Sequence, residues 1–588
     1  MNSILIRNVY NPNFNHITCF MSSTEKLESY VIDRILFKSI TIEINVDPLE
    51  EKEFSFMMGT EIGNDHVASL VEKYNTNEKI DEEFNRVVEY WKKMLGTIMV
   101  KSPDQSLNTV LNGWYLYQTI SSRLFAKAGF YQVGGAFGFR DQLQDATNIV
   151  LVDEDITREQ ILNNAAHQFK EGDVLHWWHE NIKLGLRSTY KDDYLWLIYA
   201  VNKYVEISGD YKFLDEQVQF VKGDELKEGE TEKGINYYYS DDKATVYEHC
   251  ILSIEKAVEE VGSNGLPLMG GGDWNDGMNK VGVEGMGTSV WLGFFQYTLI
   301  SKFIELFKDH KEMNVKKYKA HLAKLKEALN GIAWDNDYYL RAFFDNGHAL
   351  GSSLNNECKI DLITQSFSIL SDVIEEENID KVINSVEENL VDRDLKIVKL
   401  LTPPFDKSRD NPGYIMDYPK GIRENGGQYT HGVSWYIMAL IKLHKKDMAY
   451  EYYEMINPVN RSKTKKDEDV YKVEPYVIAA DIYSNEDYKA RGGWTWYTGS
   501  AGWFYNIGVV EILGFKKTGN TLRIEPNVPE DWDSYEIDYS YYDTTYKIKV
   551  NFTDNNDIVI DGDKSKKDYI TLKKDKRVHA IIVNIRRR

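Results

Sequence analysis

The sequence is poor in cysteine and in long apolar runs. Among 588 residues only Cys19, Cys250 and Cys358 are cysteines, and no Cys-x-x-Cys pair occurs. This number and spacing exclude a disulfide framework and the usual zinc-ligand patterns, so we expect no metal site and a reducing, cytoplasmic environment. No run of about 18 apolar residues occurs, so no membrane-spanning helix is expected. The N-terminus also lacks the apolar core of a signal peptide.

Positive charge is scarce relative to negative charge. The chain has 70 Lys and Arg against 92 Asp and Glu, which gives a formal net charge of −22. Such acidity argues against binding nucleic acid or an anionic membrane through a basic surface. It still permits a small anionic ligand that is held by a local group of cations. The length is too great for one core, so two to four domains are expected.

Aromatic residues, in contrast, are abundant: 39 Tyr, 24 Phe and 13 Trp. Tyr and Trp combine a flat apolar face with a polar edge, which suits the apolar face and polar rim of a sugar ring. The same residues also pack between helices in large helical domains, so their abundance alone leaves both interpretations open.

The period of the apolar residues changes twice along the chain. Residues 1 to about 60 read as strands: Val31–Phe37 and Ile40–Val46 are rich in β-branched residues, and Phe54–Met58 follows a turn-like segment at 47–51. Residues 65–95 are helical and charged. From about residue 515 the period becomes two again, with turn residues between the strands. The predicted strands there are Thr521–Glu525, Tyr535–Tyr541, Thr545–Phe552, Ile558–Asp561, Tyr569–Leu572 and His579–Ile585.

Between these regions, amphipathic helices alternate with glycine-rich loops. The predicted helices are Leu107–Ala126, Asp192–Ile207, Val246–Val261, Ser289–Asp309, Asn314–Ala333, Gln365–Glu376 and Trp435–Leu443. No solenoid-type repeat is found. The pattern predicts a mainly helical toroid flanked by β-structure, with an antiparallel β-domain at the C-terminus.

The loop Gly270–Asn279 is the most informative segment. In it, Asp273 and Asp276 stand on either side of Trp274. Three glycines, 270–272, precede Asp273, and Gly277 follows Asp276. A carboxyl group beside an indole can be partly desolvated, which raises its pKa and suits a general acid that faces a sugar. A tight surface turn with solvated Asp residues is the alternative interpretation.

Three further loops carry polar groups between glycines. In residues 130–145, Arg140 can brace a carboxylate and Asp141 can accept hydrogen bonds from sugar hydroxyls, or Asp141 can cap a helix. In residues 421–432, Glu424 can bind a hydroxyl and His431 can contribute to an oxyanion site, or the histidine is structural. Residues 491–503 are the fourth loop. There the hydroxyl of Thr498 and the backbone at Gly499 could hold phosphate, or the segment is an aromatic hairpin.

Taken together and in this order, the four loops resemble those of glycoside hydrolase family 94, the inverting β-glucoside phosphorylases. The resemblance covers nearly the whole chain. It is strongest to the 1,2-β-glucan branch, which includes 1,2-β-oligoglucan phosphorylases and the C-terminal region of cyclic β-1,2-glucan synthases. It implies an (α/α)6 barrel over residues 105–510 and a helical linker over 63–104. A truncated remnant of an N-terminal β-sandwich is implied over 1–62, and a C-terminal antiparallel β-domain over 511–588.

The resemblance also implies roles for individual residues. Asp276 corresponds to the general acid. Its implied companions are the substrate-binding residues Arg140, Asp141, Trp274 and Glu424, and the phosphate-binding residues Lys127, His431, Thr498 and Gly499. Lys127 takes the place of a family arginine, for which Arg123 is the weaker match. Ala480 stands where relatives of the cellobiose type carry glutamine, and Gly134-Gly135-Ala136 stands where they carry an arginine.

The implied reaction is reversible, inverting phosphorolysis of a β-linked glucan, best matched by a β-1,2 linkage, to α-glucose 1-phosphate and a shortened glucan. Inorganic phosphate would be the co-substrate, and no cofactor is expected. The alternatives are an inverting glycoside hydrolase on the same barrel and a non-catalytic glucan-binding remnant. The short N-terminal region also suggests a homodimer or association with a separate N-terminal half.

Overall fold

The chain is a mixed helix-and-sheet protein that divides into two compact units, Met1–Met94 and Leu95–Arg588. The computed structural model describes residues 3–7, 17–23, 28–31, 38–41, 45–53, 55–62, 64–127, 135–310 and 313–586. Over these residues, no helix combines the length and apolarity needed to cross a membrane.

The first unit contains two small antiparallel sheets and helices α1 (Asn64–Lys73) and α2 (Asn77–Leu95). The three-stranded sheet has the order Ser3–Arg7, Ile17–Ser23, Phe56–Ile62, and a hairpin pairs Glu28–Val31 with Lys38–Thr41. The predicted strand at Phe54–Met58 thus overlaps an observed one. Most of Val31–Phe37 lies outside the described residues, and the sandwich-remnant interpretation of residues 1–62 stays a prediction.

Helices dominate the second unit. They are α3 (Gln105–Thr109), α4 (Tyr115–Gln118), α5 (Phe139–Asn148), α6 (Glu154–Ala165), α7 (Asp193–Ser208), α8 (Val246–Glu259), α9 (Val290–Phe307), α10 (Val315–Asn330), α11 (Leu362–Leu370), α12 (Glu376–Asn389), α13 (Thr430–Lys442), α14 (Lys446–Ile456), α15 (Lys465–Tyr471) and α16 (Ser500–Asn506). π-Helical turns at Val110–Trp114, Thr119–Phe125 and Ile507–Ile512 extend α3, α4 and α16.

Six of these helices form a closed ring of contacts. Helices α5, α7, α9, α11, α13 and α16 each pack on the next, and α16 packs back on α5. Each ring helix also packs on a second helix: α6, α8, α10, α12, α14 and α4 respectively. Between the ring helices, the indoles of Trp196, Trp291 and Trp435 are almost completely buried. Burial of such large apolar side chains supplies much of the driving force for closing the ring.

Two of the ring helices, α9 and α11, begin after a residue whose side chain accepts a hydrogen bond from an N–H group of the first turn. The Ser289 hydroxyl accepts from Leu292 N at 3.0 Å before α9, and the Asp361 carboxylate accepts from Ile363 N at 3.1 Å before α11. Such side chains are favoured N-caps because the first turn has no carbonyl partners. Helix α7 ends at Gly209 with φ +75°, a conformation that glycine adopts at little cost.

The predicted helix Gln365–Glu376 is wrong as a single element. Helix α11 ends at Leu370 and α12 begins at Glu376, and Asp372 between them has φ +59°. A left-handed residue cannot continue an α-helix. Ile369 and Val373 are buried on either side of Asp372, so the apolar pattern of the sequence continues through the turn and does not reveal it.

The C-terminal sheet is mixed, which corrects the antiparallel prediction. Its six strands have the order Asp563–Lys564, Asp557–Ile560, Val578–Arg586, Thr544–Thr553, Ser534–Tyr541, Ile98–Lys101. The turn after Thr553 suggests a hairpin with the next strand. Instead, Val578–Arg586 inserts between these two strands, parallel to one and antiparallel to the other. A turn in the sequence predicts that the two strands it connects pair with each other. Here the strand Val578–Arg586 lies between those two strands.

Candidate active site

The four glycine-rich loops meet the ring at the starts of its helices. The loop that ends in Arg140 and Asp141 leads into α5, the 421–432 loop leads into α13, and the 491–499 segment leads into α16. The Gly270–Asn279 loop joins them through Arg140, whose guanidinium donates to the Asp273 carbonyl at 3.2 Å. Of the second loop, residues 130–134 lie outside the described part of the chain.

Asp276 lies in one turn of 3-10 helix, Asp276–Met278, and its side chain is 34% exposed. Its carboxylate forms an ion pair with the Arg140 guanidinium. The observed partner is therefore a guanidinium, whereas the sequence led us to expect the indole of Trp274. Trp274 itself is buried and packs on Tyr429 and His431, with ring centroids 5.7 and 5.6 Å away.

Arg140 is fixed from behind by helix α7. Its Nη1 donates to both oxygens of Asp192 at 3.1 and 3.2 Å, and lies 4.0 Å from Asp193. Burial raises the pKa of Asp192 to about 7, an effect that Arg140 opposes. Burial opposes protonation of His176, yet the Asp193 carboxylate at 2.8 Å raises the pKa of this histidine to about 9. The guanidinium that faces Asp276 therefore sits in a buried network of alternating charges.

The two aspartates of the 270–279 loop have different environments. Asp273 is fully buried, and its carboxylate accepts from both terminal nitrogens of Arg341 at 2.6 and 2.7 Å and from the Ser289 hydroxyl at 2.6 Å. Although burial opposes ionisation, Arg341 holds the pKa of Asp273 below its usual value. Asp273 thus anchors the loop to the start of α9, and Asp276 is the carboxylate of this loop that is presented outward.

Arg123 joins two carboxylates at the start of α5. Its Nη2 donates to Asp141 Oδ1 at 3.2 Å and its Nε to Asp145 Oδ2 at 2.7 Å, while the guanidinium lies 4.1 Å from the centroid of the Tyr497 ring. Burial opposes ionisation of Asp141, but Arg123 and Arg140 lower its pKa. The Asp141 side chain is 44% exposed, so its carboxylate is ionised and open to a ligand.

Lys127 occupies a different position. Its ammonium lies 4.3 Å from the centroid of the Phe137 ring. Among the contacts of the described residues, none joins Lys127 to His431, Thr498 or Gly499. Arg123, the weaker match in the sequence, instead contacts Asp145, whose Oδ1 lies close to Gly499.

His431 and Gly499 come together in the structure, and Thr498 precedes Gly499 in the chain. A Cβ atom placed on Gly499 would lie 2.8 Å from His431 Nε2 and 3.2 Å from Asp145 Oδ1, so this backbone closely approaches both side chains. Burial, with help from Arg123, lowers the pKa of His431 to about 3. The imidazole is therefore neutral near pH 7. Thr498 Oγ1 accepts from Ser500 N at 3.2 Å and lies 2.6 Å from Ser500 Oγ.

Glu424 lies on another side of Asp276. It is mostly buried, and its Oε2 accepts from Arg423 Nε at 3.3 Å. Burial and the nearby Asp276 carboxylate raise the pKa of Glu424, while Arg423 opposes the rise. The Arg423 guanidinium lies between the rings of Tyr418 and Trp494, 4.9 and 4.5 Å from their centroids. The Asp276 carboxylate therefore lies near enough to Glu424 to act on its charge.

Several residues of the site escaped the sequence reasoning. Burial and the negative charge of Asp276 raise the pKa of the Tyr190 and Tyr414 phenols. Neither tyrosine has a distinctive local motif. In the structure the Tyr190 ring packs on Gly272 so closely that a Cβ there would lie 2.5 Å from it, a contact that no local pattern predicts.

A search for metal ligands over the described ranges finds no group of three or more His, Cys, Asp or Glu side chains arranged to hold an ion. The expectation that no cofactor is needed stays a prediction.

Comparison with known proteins identifies the family. A sequence model of the glycosyl hydrolase 94 superfamily catalytic domain matches residues 90–514. The cyclic beta-(1,2)-glucan synthase NdvB of Rhizobium meliloti (strain 1021) is 40% identical over 531 residues, covering 90% of this chain and 19% of that protein. The N,N'-diacetylchitobiose phosphorylase of Vibrio proteolyticus is 28% identical over 560 residues, covering 90% of this chain and 66% of that protein.

Among solved structures, a GH78 family rhamnosidase of Bacillus sp. GL1 matches with a TM-score of 0.50 at 14% identity, covering 84% of this chain and 44% of that one. This similarity concerns the fold alone. The chain spans less than two thirds of the length of each of these three proteins. On the match over residues 90–514, together with the four loops, the chain belongs to the glycosyl hydrolase 94 superfamily.

Proposed function

We propose that this protein catalyses the reversible, inverting phosphorolysis of β-linked gluco-oligosaccharides to α-glucose 1-phosphate and a shortened glucan. One observation carries the proposal: a presented carboxylate and the candidate phosphate ligands both lie near the start of α5. Asp276 contacts Arg140 on this helix, Arg123 joins its Asp141 and Asp145, and Asp145 and His431 both approach the backbone of Gly499. Membership of a superfamily that contains phosphorylases supports the same chemistry.

In this proposal, Asp276 protonates the leaving oxygen while phosphate attacks the opposite face of the anomeric carbon. An inverting hydrolase needs a second carboxylate to activate water. Phosphate is already an anionic nucleophile, so a single acid is enough. Arg140 is held by Asp192 and the Asp273 carbonyl, so Asp276 is the partner that must turn away when it engages the sugar. Positioning of both reactants then supplies much of the rate enhancement.

The phosphate would lie against His431, Thr498 and Gly499. We assign Arg123, rather than Lys127, as the cation nearest to it, because Arg123 is buried beside Asp145 and lowers the pKa of His431. A neutral imidazole and backbone N–H groups donate hydrogen bonds without requiring a counter-charge. Donors preorganised in this way stabilise an oxyanion most effectively where water is excluded.

The donor glucose would contact Asp141, Arg140 and the wall formed by Trp274, and the acceptor sugar would contact Glu424. The ionised, partly exposed Asp141 suits bonds from two neighbouring hydroxyls. A β-1,2 linkage is our best assignment of the substrate. It is supported by the name of the 40% identical relative, a cyclic beta-(1,2)-glucan synthase.

We further propose that the ring of helices is the (α/α)6 barrel of the family, supported by six ring helices that each pack on a second helix. The domain boundaries at 62, 104 and 510 belong to the same proposal, as do a cytoplasmic location and a homodimer or a separate N-terminal partner. The closure of the ring from α16 to α5 is the feature that a six-hairpin toroid requires.

A single assay tests the proposed reaction. The protein is incubated with β-1,2-linked gluco-oligosaccharides with and without phosphate, and glucose 1-phosphate and glucose are measured. We expect phosphate-dependent glucose 1-phosphate. Glucose released without phosphate would instead support a hydrolase, and binding of the glucan without any product would support the non-catalytic alternative.

Asp276→Asn is the matching variant, with the exposed Asp531→Asn as its control. We expect Asp276→Asn to lower kcat by at least about 10²-fold, which is the scale of a lost general acid, while the circular dichroism spectrum stays unchanged. Near-normal turnover by this variant would remove Asp276 from the role of acid.

A further inference from the structure

Arg461 is a buried arginine without a carboxylate partner. It lies in the single 3-10 turn Asn460–Ser462 that follows α14, and it is 6% exposed. Its Nη2 donates to the Lys396 carbonyl, and no ion pair joins it to an Asp or Glu among the described residues. Burial lowers the pKa of Arg461 to about 10, and the Tyr471 phenol opposes this effect. A buried cation is costly unless a counter-charge accompanies it, so a ligand that brings negative charge would stabilise this arginine.

Arg461 lines a cavity of about 780 Å³ that shares no residue with the candidate active site. Its Nη1 is open to a ligand, because in the described part of the chain it has no hydrogen-bond partner and, unlike Nε, it is not fully buried. Two further cations, Lys396 and Lys463, line the same cavity, and neither forms an ion pair with a described residue. The cavity therefore presents one guanidinium and two ammonium groups to a bound molecule.

The cavity also offers hydroxyl acceptors and aromatic rings. Asp104, Asp447 and Glu454 line it, and burial together with the Asp104 carboxylate raises the pKa of Glu454. The rings of Tyr450 and Trp532 line it as well, with centroids 5.8 Å apart. Carboxylates accept hydrogen bonds from sugar hydroxyls, and aromatic rings pack on the apolar face of a sugar. The same carboxylates repel negative charge, so an anionic group must be confined to one end of the ligand.

A sugar that carries one phosphate group matches both sets of partners. A phosphate monoester bears a charge of about −1.5 to −2 at pH 7 and three acceptor oxygens. Arginine binds such a group bidentately, and lysine adds a point charge. The sugar ring supplies hydroxyl donors for the carboxylates. Inorganic phosphate would satisfy only the cations, and a neutral sugar only the carboxylates and the rings.

We propose that this cavity is a second ligand site that binds a sugar phosphate, with the phosphate on Arg461 and the sugar hydroxyls on Glu454. It is separate from the proposed phosphate site at His431, Thr498 and Gly499. The proposed function enters only in the choice of probe, since α-glucose 1-phosphate is the proposed product and belongs to this class of ligand.

Hydrogen exchange of the unmodified protein tests the site without turnover, because no acceptor sugar is added. The probes are α-glucose 1-phosphate, inorganic phosphate and glucose at equal concentrations. We expect α-glucose 1-phosphate to slow exchange in the segment 447–463 by about tenfold or more, and the other two probes to have little effect there.

The outcomes separate this site from the proposed reaction. Equal protection of 447–463 by inorganic phosphate or by glucose would overturn the assignment of a sugar phosphate. Protection by α-glucose 1-phosphate at 491–499 without protection at 447–463 would overturn the second site and leave the proposed function standing. Protection at 447–463 alone would support the second site and count against the proposed function.

Arg461→Met removes the charge and keeps an unbranched side chain. We expect it to raise the Kd of α-glucose 1-phosphate for the cavity by about tenfold or more, so that protection at 447–463 is lost while that at 491–499 remains. Because the charge has no carboxylate partner, its removal is expected to leave the thermal midpoint unchanged or higher. Protection at 447–463 that persists in Arg461→Met would overturn the proposal. The exposed Arg577→Met is the matched control, expected to behave like the unmodified protein. Should Arg461→Met fail to fold, the probe series on the unmodified protein decides the question.

Discussion

Gly499 is the residue at which the candidate phosphate ligands meet. Its φ of −67° is open to any residue, yet a Cβ there would come within 2.8 Å of His431 Nε2. We predict that Gly499→Ala leaves the fold intact but raises the KM for phosphate by about tenfold or more, because the methyl group displaces the His431 ring. Phosphorolysis kinetics at varied phosphate check this.

Gly234→Ala is the matched control for that variant. A Cβ at Gly234 meets nothing within 4 Å, so kinetics like those of the unmodified protein are expected. An unchanged KM for phosphate in Gly499→Ala would place the anion elsewhere.

His431 provides a prediction about pH and stability. Its pKa is about 3 in the folded protein and about 6.5 when unfolded. The unfolded chain therefore binds more protons below pH 6.5, and folding stability falls as the pH drops. We predict that this loss, on the order of 1.4 kcal/mol per pH unit below about pH 6, is absent in His431→Asn.

Urea unfolding at pH 7 and pH 5 measures the difference between the two proteins. His444→Asn, at an exposed position with φ +58° that asparagine tolerates, serves as the control. Identical pH slopes for His431→Asn and the unmodified protein would contradict the burial of a neutral imidazole.

At the scale of elements, the 270–279 loop depends on the Arg341–Asp273 pair. Both side chains are fully buried and form two short hydrogen bonds. Removing one partner leaves a buried charge uncompensated, which typically costs 3–5 kcal/mol. We predict a loss of about this size in the free energy of unfolding for Arg341→Met. Asp276→Asn, on the partly exposed side of the loop, is expected to cost less than about 1 kcal/mol.

Chemical denaturation of the two variants side by side tests this contrast. If both variants lost a similar free energy of unfolding, Asp273 would not be the carboxylate that anchors the loop while Asp276 is free to face a ligand.

Element ends show where sequence patterns are sufficient. The predicted starts of α7, α8 and α9 fall within one residue of the observed ones, because an N-capping side chain stands immediately before an apolar run at Thr245 and Ser289. The corner between α11 and α12 was missed because no glycine or proline marks it. Asp372 adopts the left-handed conformation there under tertiary constraint.

At the scale of the whole molecule, the strand Val578–Arg586 is central to the C-terminal sheet. It pairs with Thr544–Thr553 on one side and with Asp557–Ile560 on the other. We predict that a chain ending at residue 577 is insoluble or loses its cooperative thermal transition, because two strands then expose unpaired edges. Solubility and thermal unfolding followed by circular dichroism check this. A soluble, cooperatively unfolding truncated chain would contradict the role of this strand.

The motifs of the four loops were enough to identify the family, and the local period, caps and turn residues predicted most of the helices and C-terminal strands. The sequence also put forward Arg140 and Asp276, which form an ion pair, and His431 and Gly499, which lie close together. Their roles remain proposals.

Which charges meet became visible only in the folded chain. Arg123 contacts Asp145, Asp273 is buried against Arg341, and Asp145 has an unpaired oxygen close to Gly499. The order of the C-terminal strands was settled in the same way. Contacts between residues far apart in the chain leave no local period or turn signal, so no pattern in the sequence could have shown them.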